Sequence, residues 1–159
     1  MLFRSVRSGD DIIEAQKLIK LYGGRQKIIA KLEKREAIEN LDKIILLADG
    51  VMIARGDLGV ELPPAELPRL QKHIIRKANR HHRPVIVATQ MLESMRFSPR
   101  ATRAEINDVA TAVFDHTDAV MLSAETASGE YPLEAVQVMT AAINSAELDN
   151  DRQIGRAHV

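Results

Sequence analysis

Short apolar runs of strand length alternate along this chain with longer stretches in which apolar residues recur at helical spacing, and few folds accept that pattern. Val6-Arg7-Ser8-Gly9 reads as the stub of a strand, and Ser8 or Asp10 can cap the helix that follows. Ile12, Ile13, Ala15, Leu18 and Ile19 form the apolar side of that helix, which Gly23-Gly24 stops. Residues 27–33 are predicted to be a strand, and Ala37, Ile38, Leu41, Ile44 and Ile45 mark a second helical stretch. A buried strand is predicted over 50–55, after the Asp49-Gly50 turn.

Leu62-Pro63-Pro64 bends the chain, and Pro68 fits only the first turn of the next helix, which carries Leu70, Ile74, Ile75 and Ala78 inward. Residues 84–91 are predicted to be another buried strand with a polar tip, followed by a loop over 92–101. Thr102-Arg103-Ala104-Glu105 is a capping box ahead of Ile106, Val109, Ala110 and Val113. Residues 118–126 make the last strand and its polar end, and Pro132 opens a helix with Leu133, Val136, Met139 and Ile143 on one side.

The order is therefore a helix, then strand and helix repeated four times. Such alternation implies a parallel sheet with right-handed crossovers. A repeat of roughly 25–35 residues suits a TIM-type (β/α)8 barrel, which has eight units in ~250 residues. With half that many units the fold is either an open sheet or part of a barrel.

Chemistry follows from where the apolar runs stop. In a parallel sheet covered by helices the strands are apolar throughout, and functional groups collect at the strand ends. Lys31 and Glu33 close the first strand, and two residues apart they share a face. Arg55, Gly56 and Asp57 close the second, Thr89 and Gln90 the third, and Ser123, Glu125 and Thr126 the fourth. Carboxylates from neighbouring strands suit a hard divalent cation such as Mg2+ or Mn2+, and a lysine beside them can offset negative charge on a phosphoryl or enolate oxygen. Gly56 lets its backbone N–H approach a bound carboxylate, and Thr89 can add a hydroxyl.

Taken singly, these signals are weak. A lone Lys-x-Glu is more often a solvated strand end, Arg-Gly-Asp is common in exposed loops, and Thr89-Gln90 could merely cap a helix. Their recurrence at consecutive strand ends raises them above that background. His81-His82 reads as a helix terminus, since no further ligand has metal-site spacing, and Glu105 reads as a cap.

Composition closes off other classes. The formal net charge is +0, aromatic residues make up 3%, and no cysteine is present, which argues against nucleic-acid or membrane surfaces, base-stacking platforms and thiolate metal sites. No apolar run approaches the ~20 residues that span a bilayer, so a soluble, cytoplasmic protein is expected.

Four segments carry a resemblance: residues 28–33 (IIAKLE), 49–63 (DGVMIARGDLGVELP), 83–95 (RPVIVATQMLESM) and 101–132 (ATRAEINDVATAVFDHTDAVMLSAETASGEYP). In content and order they closely resemble the pyruvate kinase family, over nearly all of residues 6–147. The resemblance implies the second half of a catalytic barrel, roughly strands 5–8 with their helices. It implies phosphoryl transfer between phosphoenolpyruvate and ADP, giving pyruvate and ATP in glycolysis. By the same resemblance Lys31 is the lysine that stabilises the transferring group and the enolate. Glu33 and Asp57 are the protein ligands of Mg2+ or Mn2+, Gly56, Asp57 and Thr89 contact phosphoenolpyruvate or pyruvate, and Arg55 supports that motif. The family usually needs K+, whose ligands would lie in the absent half, and its members are commonly homo-oligomers, often tetramers. The chain departs from the family pattern at Lys34, often asparagine there, at Ala101, often proline, and at Ala124, often glycine.

Residues 1–5 and 154–159 fit neither neighbouring pattern and resemble translated sequencing-adapter DNA. They are expected to be non-native extensions, with 148–159 a tail beyond the barrel piece. Without the first barrel strands and the nucleotide side of the site, the isolated chain is expected to be inactive. Two other readings remain: a metal-dependent aldolase or lyase of the related pyruvate-handling barrels, and a non-enzymatic half-barrel.

Overall fold

The computed structural model describes residues 1–3 and 5–154, with side chains described through Leu148. Arg4 and residues 155–159, which belong to the stretches set aside above, lie outside the described residues. The chain divides into two compact units, Met1–Val87 and Ala88–Val159.

The first unit is a layered α/β structure. Its strands β1 (Leu2–Phe3), β2 (Ile29–Leu32), β3 (Gly50–Ala54) and β4 (Val85–Ala88, whose last residue opens the second unit) are hydrogen-bonded neighbours in chain order. β1 runs parallel to β2 with Leu2 opposite Ile29, and β2 runs parallel to β3 with Lys31 opposite Met52. Helices α1 (Gly9–Leu21), α2 (Arg35–Glu39), α3 (Leu41–Leu47), α4 (Arg55–Glu61) and α5 (Leu67–Arg80) connect the strands. Sequential order with parallel neighbours is what an arc of a (β/α) barrel requires. All five residues of β3 are buried, as a strand covered on both faces must be. Ile28, Leu32, Ile44, Ile45, Ile53, Leu58, Ile74 and Ile75 are among the fully buried side chains of the core.

Several predicted elements form as expected. Ser8 caps α1 through a capping box with Asp11, and Gly23 follows its end at φ 69°. Pro68 sits in the first turn of α5, and Leu70, Ile74, Ile75 and Ala78 are buried. Others differ. The strand stub predicted at Val6 to Gly9 is not a strand: Val6 is buried coil, Gly9 already belongs to α1, and Leu2–Phe3 pair with β2 instead. Without them the β2 edge would carry unpaired N–H and C=O groups. The helical stretch through Ala37 and Ile45 is broken at Asn40, whose side-chain amide donates to the carbonyls of Arg7 and Glu36. Leu18 is half exposed and lines a groove of about 600 Å³ with Phe3, Ala15, Ile19 and Tyr22.

The second unit contains a short 3-10 turn (Glu93–Arg96), α6 (Arg103–Phe114), β5 (Ala119–Met121), α7 (Ala124–Ala127) and α8 (Pro132–Ile154). The Thr102–Glu105 capping box forms at the start of α6, and Glu105 also accepts from the Ser94 backbone N–H at 2.7 Å. α8 packs with its alanine side inward: Ala135, Met139, Ala142 and Ala146 are buried, whereas Leu133 and Val136, expected on the inner face, are exposed. Small residues permit close approach to α6, and that contact rotates the buried stripe away from the larger aliphatic residues. Among the described residues no helix is long and apolar enough to cross a membrane.

Candidate active site

β2 ends at Leu32, and Lys31, on the less deeply buried of its two faces, lies in the pleat phase that also directs Glu33. β3 runs straight into α4, so Arg55, Gly56 and Asp57 form the first turn of a helix and not the tip of a strand, a correction to the sequence expectation. Because β2 and β3 are parallel neighbours, the end of one faces the start of the helix that follows the other.

The Lys31 ammonium bridges the two carboxylates. Its Nζ donates to Asp57 Oδ2 at 2.9 Å and pairs with Glu33 Oε2. Lys31 and Glu33 are nearly enclosed, with side-chain exposures of 12% and 6%, while Asp57 is open to solvent at 54%. Ser5 Oγ donates to the other Glu33 oxygen at 2.6 Å. Burial alone would push the Glu33 carboxyl up, but the hydrogen bonds from Lys31 and Ser5, the charge of Lys31 and the proximity of Asp57 outweigh it and hold the group at about 2. Burial likewise disfavours the Lys31 ammonium, and its bonds to Glu33 and Asp57 overcome this and raise its pKa. The sequence gives no local signal for Ser5, a lone serine whose partner Glu33 lies 28 residues away.

Glu33 and Asp57 line a polar cleft of about 290 Å³ with Ser5, Lys34, Val60 and Glu61. Two carboxylates converging on one ammonium offer hard oxygen donors to a cation, and they fit a divalent metal that keeps water and substrate oxygens in its other positions. Among the described residues no group of three or more His, Asp or Glu side chains could hold a metal ion.

Other polar strand ends behave differently. Thr89 belongs to the second unit, directly after β4, and has a left-handed backbone at φ 68°, with Gln90 at 54°. Positive φ is uncommon for a β-branched residue and marks a locally constrained turn. Glu125 is fully buried and accepts from the backbone N–H groups of Ser123 at 2.7 Å and Leu92 at 3.2 Å, which is a structural task. His81 is the C-cap of α5, where a helix terminus was expected.

The Glu33 value sets a pH prediction. A carboxyl whose folded pKa lies below the ordinary 4.5 stabilises the fold above that ordinary value and loses the contribution as pH falls toward about 2. Glu33→Gln should therefore lower stability by roughly 1–3 kcal/mol at pH 7 and flatten the acid limb between about pH 5 and 2. Urea unfolding of both proteins across that range checks it; parallel acid limbs would contradict the pairing.

Residues 1–136 match the family model described as pyruvate kinase, barrel domain. Similar proteins include pyruvate kinases of Geobacillus stearothermophilus, 54% identical over 135 residues, and Sporosarcina psychrophila, 53% identical over 135 residues; each match covers 84% of this chain and 23% of the relative. That of Bacillus licheniformis is 50% identical over 151 residues, or 94% of this chain and 26% of the relative. The chain thus spans about a quarter of the length of the curated relatives it matches. Sequence motifs, parallel α/β architecture and these matches agree: the chain belongs to the pyruvate kinase family.

Proposed function

We propose that this chain contributes the metal and lysine side of a pyruvate kinase site, with residues 6–147 corresponding to roughly strands 5–8 of the catalytic barrel. The observation that carries the reading is the Lys31 ammonium held between Glu33 and Asp57. In phosphoryl transfer the protein's work is mainly positioning and charge stabilisation, and a fixed ammonium beside two acidic groups suits both. Lys31 would stabilise negative charge on the transferring phosphoryl group and on the enolate oxygen of pyruvate. Glu33 and Asp57 would hold Mg2+ or Mn2+, which when bound polarises phosphoryl and carboxylate oxygens. Gly56 and Asp57, in the first turn of α4, would contact the carboxylate end of phosphoenolpyruvate, and Arg55 would support that turn; Thr89, in the second unit, is proposed from the family motif alone as a substrate contact. ADP, K+ and subunit partners would engage parts of a longer protein that this chain does not include.

Two proteins test this. The 159-residue chain, assayed with phosphoenolpyruvate, ADP, Mg2+ and K+ in a lactate-dehydrogenase-coupled reaction, should show no turnover above background. A chimera in which residues 6–147 replace the matching segment of the Geobacillus stearothermophilus relative should turn over within about tenfold of that relative. A folded but inactive chimera would reject the catalytic reading, and robust turnover by the chain alone would reject the claim that its half-site is insufficient.

A further inference from the structure

Helix α4 carries Asp57, yet little apolar packing holds it. It spans Arg55–Glu61, its one buried residue is Leu58, and Val60 is 87% exposed. Its N-cap residue, Ala54, offers no side-chain capping hydrogen bond, and the helix includes Gly56 and Gly59. A helix of about two turns with two glycines is not stable on its own, so its orientation must come from tertiary ties.

Polar ties to the strand β2 and the residues just after it occur at both ends. At the first turn, Lys31 holds Asp57. At the last turn, Lys34 Nζ donates to Glu61 Oε1 at 2.6 Å, and the Arg35 guanidinium donates to the Glu61 carbonyl oxygen at 3.1 Å. That carbonyl is among the helix-end acceptors with no partner inside the helix, and a cation there also suits the helix dipole. Lys34 lines the same cleft as Glu33 and Asp57, so the tie forms part of the wall of the candidate site.

We propose that Lys34, supported by Arg35, is a positioning residue: by holding Glu61 it fixes the tilt of α4 and keeps the Asp57 carboxylate beside Glu33. Lys34 acts through Glu61 and not by touching substrate or metal. Its catalytic consequence rests on the functional reading above; the tie itself does not.

A partly exposed ion pair changes global stability little, so the readout must be local. In hydrogen–deuterium exchange of the 159-residue chain, Lys34→Ala should speed exchange of the backbone amides over 57–62 by about 3–10-fold while β2, β3 and α5 keep their rates. Lys34→Arg should preserve protection, and the swap Lys34→Glu with Glu61→Lys should restore it. Unchanged exchange in Lys34→Ala, or a swap no better than the single variant, would overturn the tie. In the active chimera, Lys34→Ala should raise the Mg2+ concentration for half-maximal rate several-fold, with Lys34→Arg close to the parent. An unchanged Mg2+ requirement alongside faster exchange would overturn the positioning of Asp57 and leave the kinase reading intact. An inactive chimera would strike the kinase reading and leave the exchange result to decide the tie.

Discussion

Lys31→Met in the chimeric enzyme should lower kcat on the order of 10²–10³-fold while Mn2+ binding survives. Methionine keeps most of the volume of a side chain that is only 12% exposed, so the packing at the end of β2 changes little. What disappears is the charge. A preorganised donor aimed at developing negative charge is worth about that factor in rate when it is removed. The effect on metal runs the other way, because the ammonium and a divalent cation would share the carboxylates of Glu33 and Asp57. Without Lys31 those oxygens lose a competitor, so Mn2+ affinity, read by titration calorimetry or paramagnetic relaxation, should hold or rise. A near-normal kcat would remove Lys31 from the chemistry; lost Mn2+ binding together with lost activity would assign it to folding. Unfolding at pH 7 should also become easier, since Glu33 would be left buried without its cation.

Glu125→Ala should produce the largest stability change in the second unit, about 2–5 kcal/mol. Glu125 is fully buried and accepts from the backbone N–H groups of Ser123 and Leu92. Truncation leaves the buried Leu92 N–H and the part-buried Ser123 N–H without that partner, the buried one at a cost of about 1–3 kcal/mol and the other at less, and a cavity besides. Glu125→Gln retains one accepting oxygen and should recover part of the loss. Denaturant unfolding followed by exchange of the amides in α7 and in the turn Glu93–Arg96 reads this directly. A loss below about 1 kcal/mol would mean that water replaces the carboxylate.

These predictions draw unequally on the sequence. The alternation of strands and helices, the capping boxes at Ser8 and Thr102, the inward face of α5 and the pairing of Lys31 with Glu33 all depend on residues close in the chain, or on a two-residue periodicity. The motif around Asp57 was visible too, but its conformation was not. Two glycines in seven residues discourage a helix, and the burial of Leu58 together with anchoring by Lys31, Lys34 and Arg35 makes α4 intelligible. The break at Asn40 depends on the Arg7 carbonyl 33 residues away. The buried stripe of α8 follows from how closely α6 can approach, so alanines go inward where a hydrophobicity ranking favours Leu133 and Val136.

By itself the sequence determined the α/β class, the starts of α1, α5, α6 and α8, the acidic and basic residues proposed for the candidate site and the family, because each is written in local periodicity or in contiguous motifs. Only the tertiary structure decided that one ammonium joins Glu33 and Asp57, that Ser5 completes the Glu33 shell, and that α4 is tied at both ends. Those outcomes depend on parallel strand register and on distances between residues more than twenty positions apart, and no local pattern encodes them.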